Sequence, residues 1–386
     1  MATTMDVTDV EAVVRSDAAL LEDDLAEFLD ALTAPARAAA VSVHDTALRR
    51  ALYEPVADAL GSKVGQQALP PTAGAPGGRA PLRPSMVYWA YRNYRGFPEG
   101  AEGFSGKAER SPERADTASD LAVIRRTAVA VRILLKAAVA LDDIQDDSDV
   151  RYGEPALHIT HGTPLALNTG AWLIMSALRH AADPAVVDSL VRSVGSGFTG
   201  QAVDMSSRTA LTRAELLAAP RATRVDFWES TAALKTGTLF WMPLDAAVAG
   251  LRVVEDDRLV LDGAMRRLGL ASQLFNDLTD FVPEFGGANT HEDFDGLGNR
   301  VFLELLDDDG VPPGEDFKRY VLGHPHLERT LLALAEEAVA LKRAAKDAVH
   351  GVCRSERSAA YFDVTIERKG HLIDRLLAAV RQRSGA

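Results

Sequence analysis

Residues 121–146 read LAVIRRTAVAVRILLKAAVALDDIQD, a long apolar run that ends in carboxylates. Apolar residues cover most of the helical circumference past Val129, so the pattern predicts a helix from about 121 to 144 at the centre of a bundle. Ser119 and Asp120 come before it and are typical N-caps. The helix ends on carboxylates, although negative charge is unfavourable at that end of the helix dipole.

Three of these carboxylates form a D-D-x-x-D motif. Asp142 and Asp146 lie one turn apart on one face, and Asp143 lies beside them. Their repulsion is unfavourable unless cations bind between them, and Mg²⁺ takes such oxygen ligands together with water and substrate phosphate. Taken alone, a run of acidic residues is more often a solvated helix end.

A second cluster changes that balance. LASQLFNDLTDFVPE, residues 270–284, places Asn276, Asp277 and Asp280 at the end of another apolar helix. We expect the two clusters to face each other across a bundle cavity. Further candidates are cations and polar side chains that suit a phosphate, namely Arg151, Lys235 and Thr236. Carboxylates with cations and without a nucleophile indicate a site that binds a diphosphate through Mg²⁺ and lets it leave.

The composition predicts a large all-α protein. The chain has 386 residues, 47% hydrophobic but only 6% aromatic, and we find no run of β-alternation. We predict N-terminal helices within 1–64, a Pro/Gly-rich loop at 65–84 and a catalytic helical domain at 85–386, packed as one domain overall. Further helices are predicted at about 164–182, 184–205, 212–219, 225–250, 256–281, 299–306, 326–351 and 356–383.

Charge and cysteine content exclude several classes of function. The net charge of −13 disfavours a nucleic-acid surface and gives anionic lipid no general reason to bind. The lone Cys353 excludes an intramolecular disulfide and a cysteine-based zinc site. We find no signal peptide and no apolar stretch of roughly 18 residues, so no membrane span is predicted. We expect a soluble cytoplasmic protein.

In order along the chain, the motifs resemble those of the trans-isoprenyl diphosphate synthases, or polyprenyl synthetases. The resemblance covers roughly residues 75–305 and includes GGRAPLRP, DDIQD, RYGEP, GTPLALNTG, the Lys-Thr pair and NDLTD. It implies an isoprenoid synthase-type helical bundle around a deep apolar cavity, usually a homodimer, and an allylic prenyl diphosphate as substrate.

The resemblance also implies roles for individual residues. Three Mg²⁺ ions are expected, two of them bound by Asp142, Asp143 and Asp146. Asn276 and Asp277 are expected to bind the third, with Asp280 in the same motif. The side chains expected to hold the allylic diphosphate are Arg151, Lys235, Thr236 and Gln273, and Arg300 is a candidate to replace a family lysine.

The pocket that a chain-elongating member needs for isopentenyl diphosphate is altered here. The basic residues available for it are Arg79, Arg83 and Lys136. Leu135 stands where the family has His or Gln, and Tyr152 stands where it has a second Arg. Each lost charge-assisted hydrogen bond would cost about 1.5 to 3 kcal/mol.

Two reactions and one non-catalytic role are compatible with these departures. We prefer ionisation followed by cyclisation to a terpene, keep elongation with isopentenyl diphosphate as the alternative, and rank a non-catalytic subunit last. The spacing of Asn276, Asp280 and Glu284 resembles the metal triad of terpene cyclases, although Pro283 should end or kink the helix before Glu284.

The residues expected to line the cavity set its size. Ala137 and Ala138 are small and leave room for a chain of about C15 to C20. Phe240 and Phe275 are more often plain core, but on a cavity wall their rings would stabilise a carbocation.

Overall fold

The computed structural model describes residues 7–38, 42–61, 82–97, 112–151, 154–285, 297–306 and 317–383. These residues are helical almost throughout, so the predicted all-α class is confirmed. The helices, in chain order, are α1 (Val7–Ala38), α2 (Val43–Leu48), α3 (Glu54–Gly61), α4 (Leu82–Arg95), α5 (Pro112–Gln145), α6 (Leu157–His161), α7 (Thr163–Ala181), α8 (Pro184–Ser206), α9 (Ala210–Ala218), α10 (Arg221–Ala232), α11 (Thr238–Gly250), α12 (Glu255–Thr279), α13 (Arg300–Leu305), α14 (Phe317–Leu322), α15 (Leu327–Val352) and α16 (Glu356–Arg383).

Shorter elements interrupt this pattern. Two π-helical turns occupy Arg49–Tyr53 and Ala233–Gly237, and a 3-10 turn occupies Pro283–Phe285. The strands β1 (Val150–Arg151) and β2 (Glu154–Pro155) form an antiparallel pair. Strands of two residues are too short for alternation to show in the sequence, so this pair was not predicted.

The chain divides into two compact units. The first comprises Met1–Val191, Met242–Arg258 and Cys353–Ile366, and the second comprises Arg192–Trp241, Leu259–Val352 and Glu367–Ala386. The predicted boundary at residue 64 lies outside the described residues. A single catalytic domain over 85–386 stays a prediction.

Helix α5 is the centre of the first unit, as its apolar sequence predicts. Ile124, Val129 and Ile133 are fully buried, and α5 packs against α1, α3, α4, α6 and α7. The N-terminal helix is fixed by polar contacts as well. Asp17 of α1 accepts from the buried Arg92 at 3.0 Å and from Tyr361 Oη at 3.0 Å. The N-terminal helices are therefore part of this core.

The core of the second unit is formed by the apolar faces of α12, α13, α15 and α16. Leu278, Phe302, Leu331 and Leu376 are fully buried within it. Each buried leucine or phenylalanine of this kind contributes about 1.5 to 3 kcal/mol. This core fixes the end of α12, where the second acidic cluster lies.

Two predicted boundaries require correction. The central helix predicted from about 121 begins at Pro112, so Ser119 and Asp120 lie inside α5 and are not its N-caps. The loop predicted at 65–84 lies mostly outside the described residues, but its last residues, from Leu82, form the first turn of α4. Pro84 fits there because the first turn of a helix needs no donor from its backbone. In the described residues, no helix is long and apolar enough to cross a membrane.

Candidate active site

The first acidic cluster lies where α5 ends. The amide of Asp146 donates to the carbonyl of Asp142 at 2.8 Å, and that of Ser148 donates to the carbonyl of Asp143 at 2.9 Å. Asp147 then takes a φ of 54°, a left-handed conformation that Asp tolerates and that ends the helix. Asp143 and Asp146 are 1% and 6% exposed, and buried carboxylates require compensating partners.

The β1–β2 hairpin returns Arg151 to these carboxylates. Its Nε donates to Asp143 Oδ1 at 2.5 Å, and its Nη2 donates to Asp142 Oδ2 at 3.0 Å. The guanidinium is mostly buried, so the charge-assisted bonds are poorly screened by water. Arg151 therefore holds the first two carboxylates in place, a role that its assignment to the substrate diphosphate did not include.

The donor chemistry of this cluster fits a hard divalent cation. Asp142, Asp143 and Asp146 offer carboxylate oxygens, the ligands that Mg²⁺ prefers. Within the described ranges, no three or more His, Cys, Asp or Glu side chains already converge as metal ligands. Arg151 thus offsets the repulsion among the three carboxylates. A bound cation would need further ligands, which substrate phosphate would supply.

A pocket of about 170 Å³ lies beside the cluster in the first unit. Its wall includes Lys136 and His161, but also the carboxylates of Asp58, Asp143 and Glu154. His161 Nε2 lies 2.7 Å from Asp58 Oδ2. Acidic side chains therefore outnumber basic ones in this lining, which suits a diphosphate poorly.

The second acidic cluster begins on α12 and continues past its end. Asn276 is exposed on the last turn, Asp277 is buried, and Asp280 follows Thr279, the final helical residue. Glu284 lies on the next 3-10 turn. The predicted helix at 256–281 is therefore two residues too long. Since a proline at 283 clashes with a helical carbonyl four residues earlier, the ending at Thr279 has a direct cause.

Asp277 connects several elements of the second unit. Its Oδ2 accepts from Trp228 Nε1 at 2.8 Å and from the amide of Arg300 at 2.8 Å, while its Oδ1 accepts from Gln273 Nε2 at 2.7 Å. These donors occupy three of the roughly four positions that a carboxylate offers. Asp277 is thus placed as a structural acceptor, and its predicted metal role stays a prediction.

The predicted phosphate residues Thr236 and Gln273 meet in the structure. Thr236 Oγ1 donates to Gln273 Oε1 at 2.5 Å, and Gln273 continues the chain to Asp277. The approach is close because glycines meet here: a Cβ on Gly269 would lie 2.5 Å from the Cα of Gly237. The π-turn at Ala233–Gly237 and α12 therefore pack backbone to backbone.

Lys235 is paired with a carboxylate that the sequence analysis did not select. Its Nζ lies 2.7 Å from Asp204 Oδ2 on α8. Any Cβ on Gly200 would collide with the backbone of Leu234 and Lys235, so glycine lets α8 approach the π-turn. Asp204 lies three residues beyond Gln201 in a plain helical run, and nothing in the sequence indicated this contact.

Arg300 lies among glutamates in the structure, and its predicted role at the diphosphate stays a prediction. Its side chain is 5% exposed and donates from Nε to Glu304 at 2.9 Å. Its other guanidinium nitrogens lie 3.7 Å from Glu229 and 3.9 Å from Glu337, and its guanidinium stacks 5.1 Å from the ring of Trp228. Burial raises the pKa of Glu337, an effect that Arg300 opposes. Arg300 is thus a buried structural cation.

The other predicted residues have simpler positions. Arg79 lies outside the described residues, as does Tyr152, and Arg83 lies in the first turn of α4. Ala137 and Phe240 are buried, while Ala138 and Phe275 are partly buried. Their place on a common cavity wall stays a prediction, and so does the facing of the two acidic clusters.

Comparison with known proteins defines the class of this chain. The profile of the polyprenyl synthetase family matches residues 76–294, more than half of the chain. The chain belongs to the polyprenyl synthetase family. Members of this family are enzymes that act on isoprenoid diphosphates and are generally dependent on divalent metals. The resemblance and the enzyme class predicted from the sequence are confirmed.

Individual relatives are more distant. The chain is 28% identical to fusoxypene synthase of Fusarium oxysporum over 181 residues, 45% of this chain and 24% of that protein. It is 32% identical to geranylgeranyl pyrophosphate synthase of Neocamarosporium betae over 115 residues, 29% of this chain and 31% of that protein. The matches thus span about a quarter to a third of these curated relatives.

A solved structure supports the fold. A polyprenyl synthase from Caulobacter crescentus CB15, complexed with calcium and isoprenyl diphosphate, matches with a TM-score of 0.62 and 18% identity, covering 99% of each chain. At this identity the likeness shows the fold alone, and the predicted isoprenoid synthase fold is confirmed.

Proposed function

We propose that this chain ionises an allylic prenyl diphosphate of about C15 to C20 and cyclises the resulting cation to a terpene. The observation that carries ionisation is the first acidic cluster: Asp142 and Asp143 are held by Arg151 beside the buried Asp146. Family membership supports the same substrate class.

The side chains of the chain have distinct tasks in this proposal. Asp142 and Asp146 would hold a divalent cation, and Arg151 fixes the carboxylates in position. The family resemblance implies three Mg²⁺ ions, and bound Mg²⁺ would neutralise negative charge on the leaving diphosphate. Lys235 and Thr236 are assigned to the diphosphate, with Asp204 and Gln273 as their positioning partners.

The reaction balances without a further reactant. The bond from carbon to the diphosphate oxygen breaks, and its electron pair leaves with the oxygen. Double bonds of the same chain then attack the allylic cation and close a ring. Loss of a proton from carbon ends the reaction as a hydrocarbon; where a solvent water adds to the cation instead, the added water loses the proton and an alcohol results. Cyclisation of the cation therefore needs an apolar cavity, and it does not need isopentenyl diphosphate.

Cyclisation is favoured over elongation by the surroundings of Lys136. Elongation needs a basic pocket that binds a second diphosphate, and Lys136 is the described candidate on α5. Its pocket contains Asp58, Asp143 and Glu154, which repel an anion. The name of fusoxypene synthase, one of the relatives, supports the same choice.

Elongation with isopentenyl diphosphate is the second candidate. A relative named geranylgeranyl pyrophosphate synthase supports it, and Arg83 would then serve the acceptor pocket with Arg79. A non-catalytic subunit ranks last, because the first metal motif is intact in the sequence.

The decisive experiment incubates the purified protein and Mg²⁺ with geranyl, farnesyl or geranylgeranyl diphosphate, each with and without labelled isopentenyl diphosphate. Hydrocarbon extracts and longer diphosphates are both analysed. We expect a terpene hydrocarbon or alcohol without isopentenyl diphosphate. Longer diphosphates that form only in its presence would establish elongation and contradict cyclisation.

A further inference from the structure

Lys369 on α16 lies beside the second acidic cluster. Its Nζ is 3.4 Å from Asn276 Oδ1 and 3.9 Å from the centre of the Phe275 ring. The ammonium therefore contacts two consecutive residues on the last turn of α12. The sequence analysis did not select it, because some ninety residues separate it from the motif.

The position of Lys369 is fixed by the packing of its helix. Ile373, Leu376 and Val380 of α16 are buried in the core of the second unit. Lys342 of α15 donates to the carbonyl of Gly370 at 3.3 Å and lies 2.5 Å from Asp374. The backbone next to Lys369 is thus anchored by the buried side chains of α16 and by Lys342, and the ammonium reaches Asn276 from this helix.

The residues around Asn276 fit a divalent cation poorly. Asn276 offers a neutral amide oxygen, a weaker ligand for Mg²⁺ than a carboxylate, and Asp277 already accepts from three donors. Asp280 Oδ2 accepts from Asn299 Nδ2 at 3.3 Å. An ammonium beside the amide repels a divalent ion at the same position. The ammonium of Lys369 is therefore the positive charge that an anion would meet at Asn276, next to the carboxylates of Asp277 and Asp280.

We infer that Lys369 binds the diphosphate of the substrate at the second cluster, in the place where the family resemblance puts a third metal ion. An ammonium brings three donors and a positive charge, which suit phosphate oxygens. This inference rests on the proposed function for the identity of the diphosphate substrate. It replaces the metal expected at Asn276 and leaves the ions of the first cluster unchanged.

The first test measures the binding of inorganic pyrophosphate by titration calorimetry in the presence of Mg²⁺. Lys369→Met should weaken binding about ten- to a hundredfold, the loss expected for a charge-assisted contact. Lys369→Arg should restore most of it. Arg381→Gln is the matched control, because it removes an exposed positive charge from the same helix.

The second test counts Mn²⁺ ions that bind only together with pyrophosphate, using equilibrium dialysis and electron paramagnetic resonance. We expect two ions for the unaltered chain. The double variant Asn276→Asp, Lys369→Met should bind a third, since it removes the ammonium and introduces a carboxylate. Three ions in the unaltered chain would overturn the inference.

Other outcomes separate this inference from the proposed function. If Lys369→Met melts at a lower temperature but binds pyrophosphate normally, Lys369 only stabilises the end of α12 and the inference is wrong. The same is true if the unaltered chain does not bind pyrophosphate. If pyrophosphate binding depends on Lys369 while no allylic diphosphate is turned over, the inference holds and the proposed function fails.

Discussion

Asp142 and Asp277 belong to similar motifs, yet they differ in what surrounds them. Asp142 keeps part of its side chain exposed at the end of α5, whereas Asp277 is buried among donors from three elements. One carboxylate is placed to take an external ligand, and the other is placed to hold the protein together. The two positions should therefore respond differently to substitution.

Asp142→Ala should lower diphosphate release by about a hundredfold or more, because charge on the leaving group loses a metal ligand. The fold should stay intact, since the side chain lies at the surface end of the helix. Phosphate detection and the melting temperature measure the two effects. Undiminished turnover would remove Asp142 from the site.

Asp277→Ala should destabilise the fold by about 2 to 4 kcal/mol, because it leaves the indole of Trp228 and the amide of Arg300 buried without an acceptor. A side chain that only bound a metal ion would leave the fold intact after the same change. Urea unfolding is the measurement, with Asp280→Asn as the less buried comparison. Equal stability of both variants would contradict the structural role.

Cys353 provides a pH-dependent test. Burial, with a smaller effect from Asp363, raises the pKa of its thiol to about 11. The thiolate is the reactive form, so alkylation of the native protein at pH 8 should be much slower than alkylation of the denatured protein. Because the native pKa is raised, this group contributes stability below pH 9 that is lost as the pH rises through about 11. Fast native alkylation at pH 8 would contradict the assigned environment.

At the scale of elements, the sequence predicted most helices to within a few residues. Helices α7, α8, α15 and α16 follow the predicted ranges closely because their apolar periodicity is strong and their ends carry Pro, Gly or capping residues. The predicted helix at 225–250 is interrupted by the π-turn at Ala233–Gly237. A π-turn has no periodicity of its own in the sequence, so it could not be predicted. It becomes visible only in the structure, where it packs against α12.

The contacts of the candidate site were less predictable than its motifs. Asp142 was selected because local spacing indicates a shared face, Thr236 because it follows Lys235 as a polar side chain that suits a phosphate, and Gln273 through the family resemblance. Asp204 and Lys369 were not predicted because each contacts a motif residue on a helix or turn that is distant in the sequence and close only in the folded chain. The glutamates around Arg300 were missed for the same reason: a basic residue near a motif is compatible with substrate or with neighbouring glutamates, and only tertiary structure shows the latter.

The packing of α12 on the π-turn makes a prediction about glycine. Gly269→Ala should cost about 1 to 3 kcal/mol, since its Cβ would collide with the backbone of Gly237. Gly263→Ala on the same helix is the control. Its Cβ would meet only Arg267 Nη1, at 3.8 Å, so it should be neutral or stabilising by up to about 1 kcal/mol. Thermal unfolding compares the two, and equal effects would contradict the close approach.

At the scale of the whole molecule, an apolar stripe on α7 is compatible with the homodimer expected from the sequence. Leu167 and Met175 are 53% and 66% exposed, and the exposed Ala171 lies between them on the same face. Such stripes favour association when they are covered by a partner. The homodimer stays a prediction that this stripe makes testable.

Met175→Lys should convert the dimer to a monomer, because it places a charge in the stripe that the partner would cover. Light scattering after size exclusion measures the mass. Leu259→Lys on α12 is the control, since Leu259 is 62% exposed outside the stripe. A dimer that survives Met175→Lys would place the interface elsewhere.

The network around Asp277 has a consequence for directed evolution of this chain. Libraries that randomise the second acidic motif to change the product would lose folded protein before they altered the chemistry, because the motif contains a structural acceptor. Clones that score as inactive would then be mostly unfolded. Libraries that keep Asp277 constant and vary Asn276 together with Lys369 would sample the local charge with the scaffold preserved.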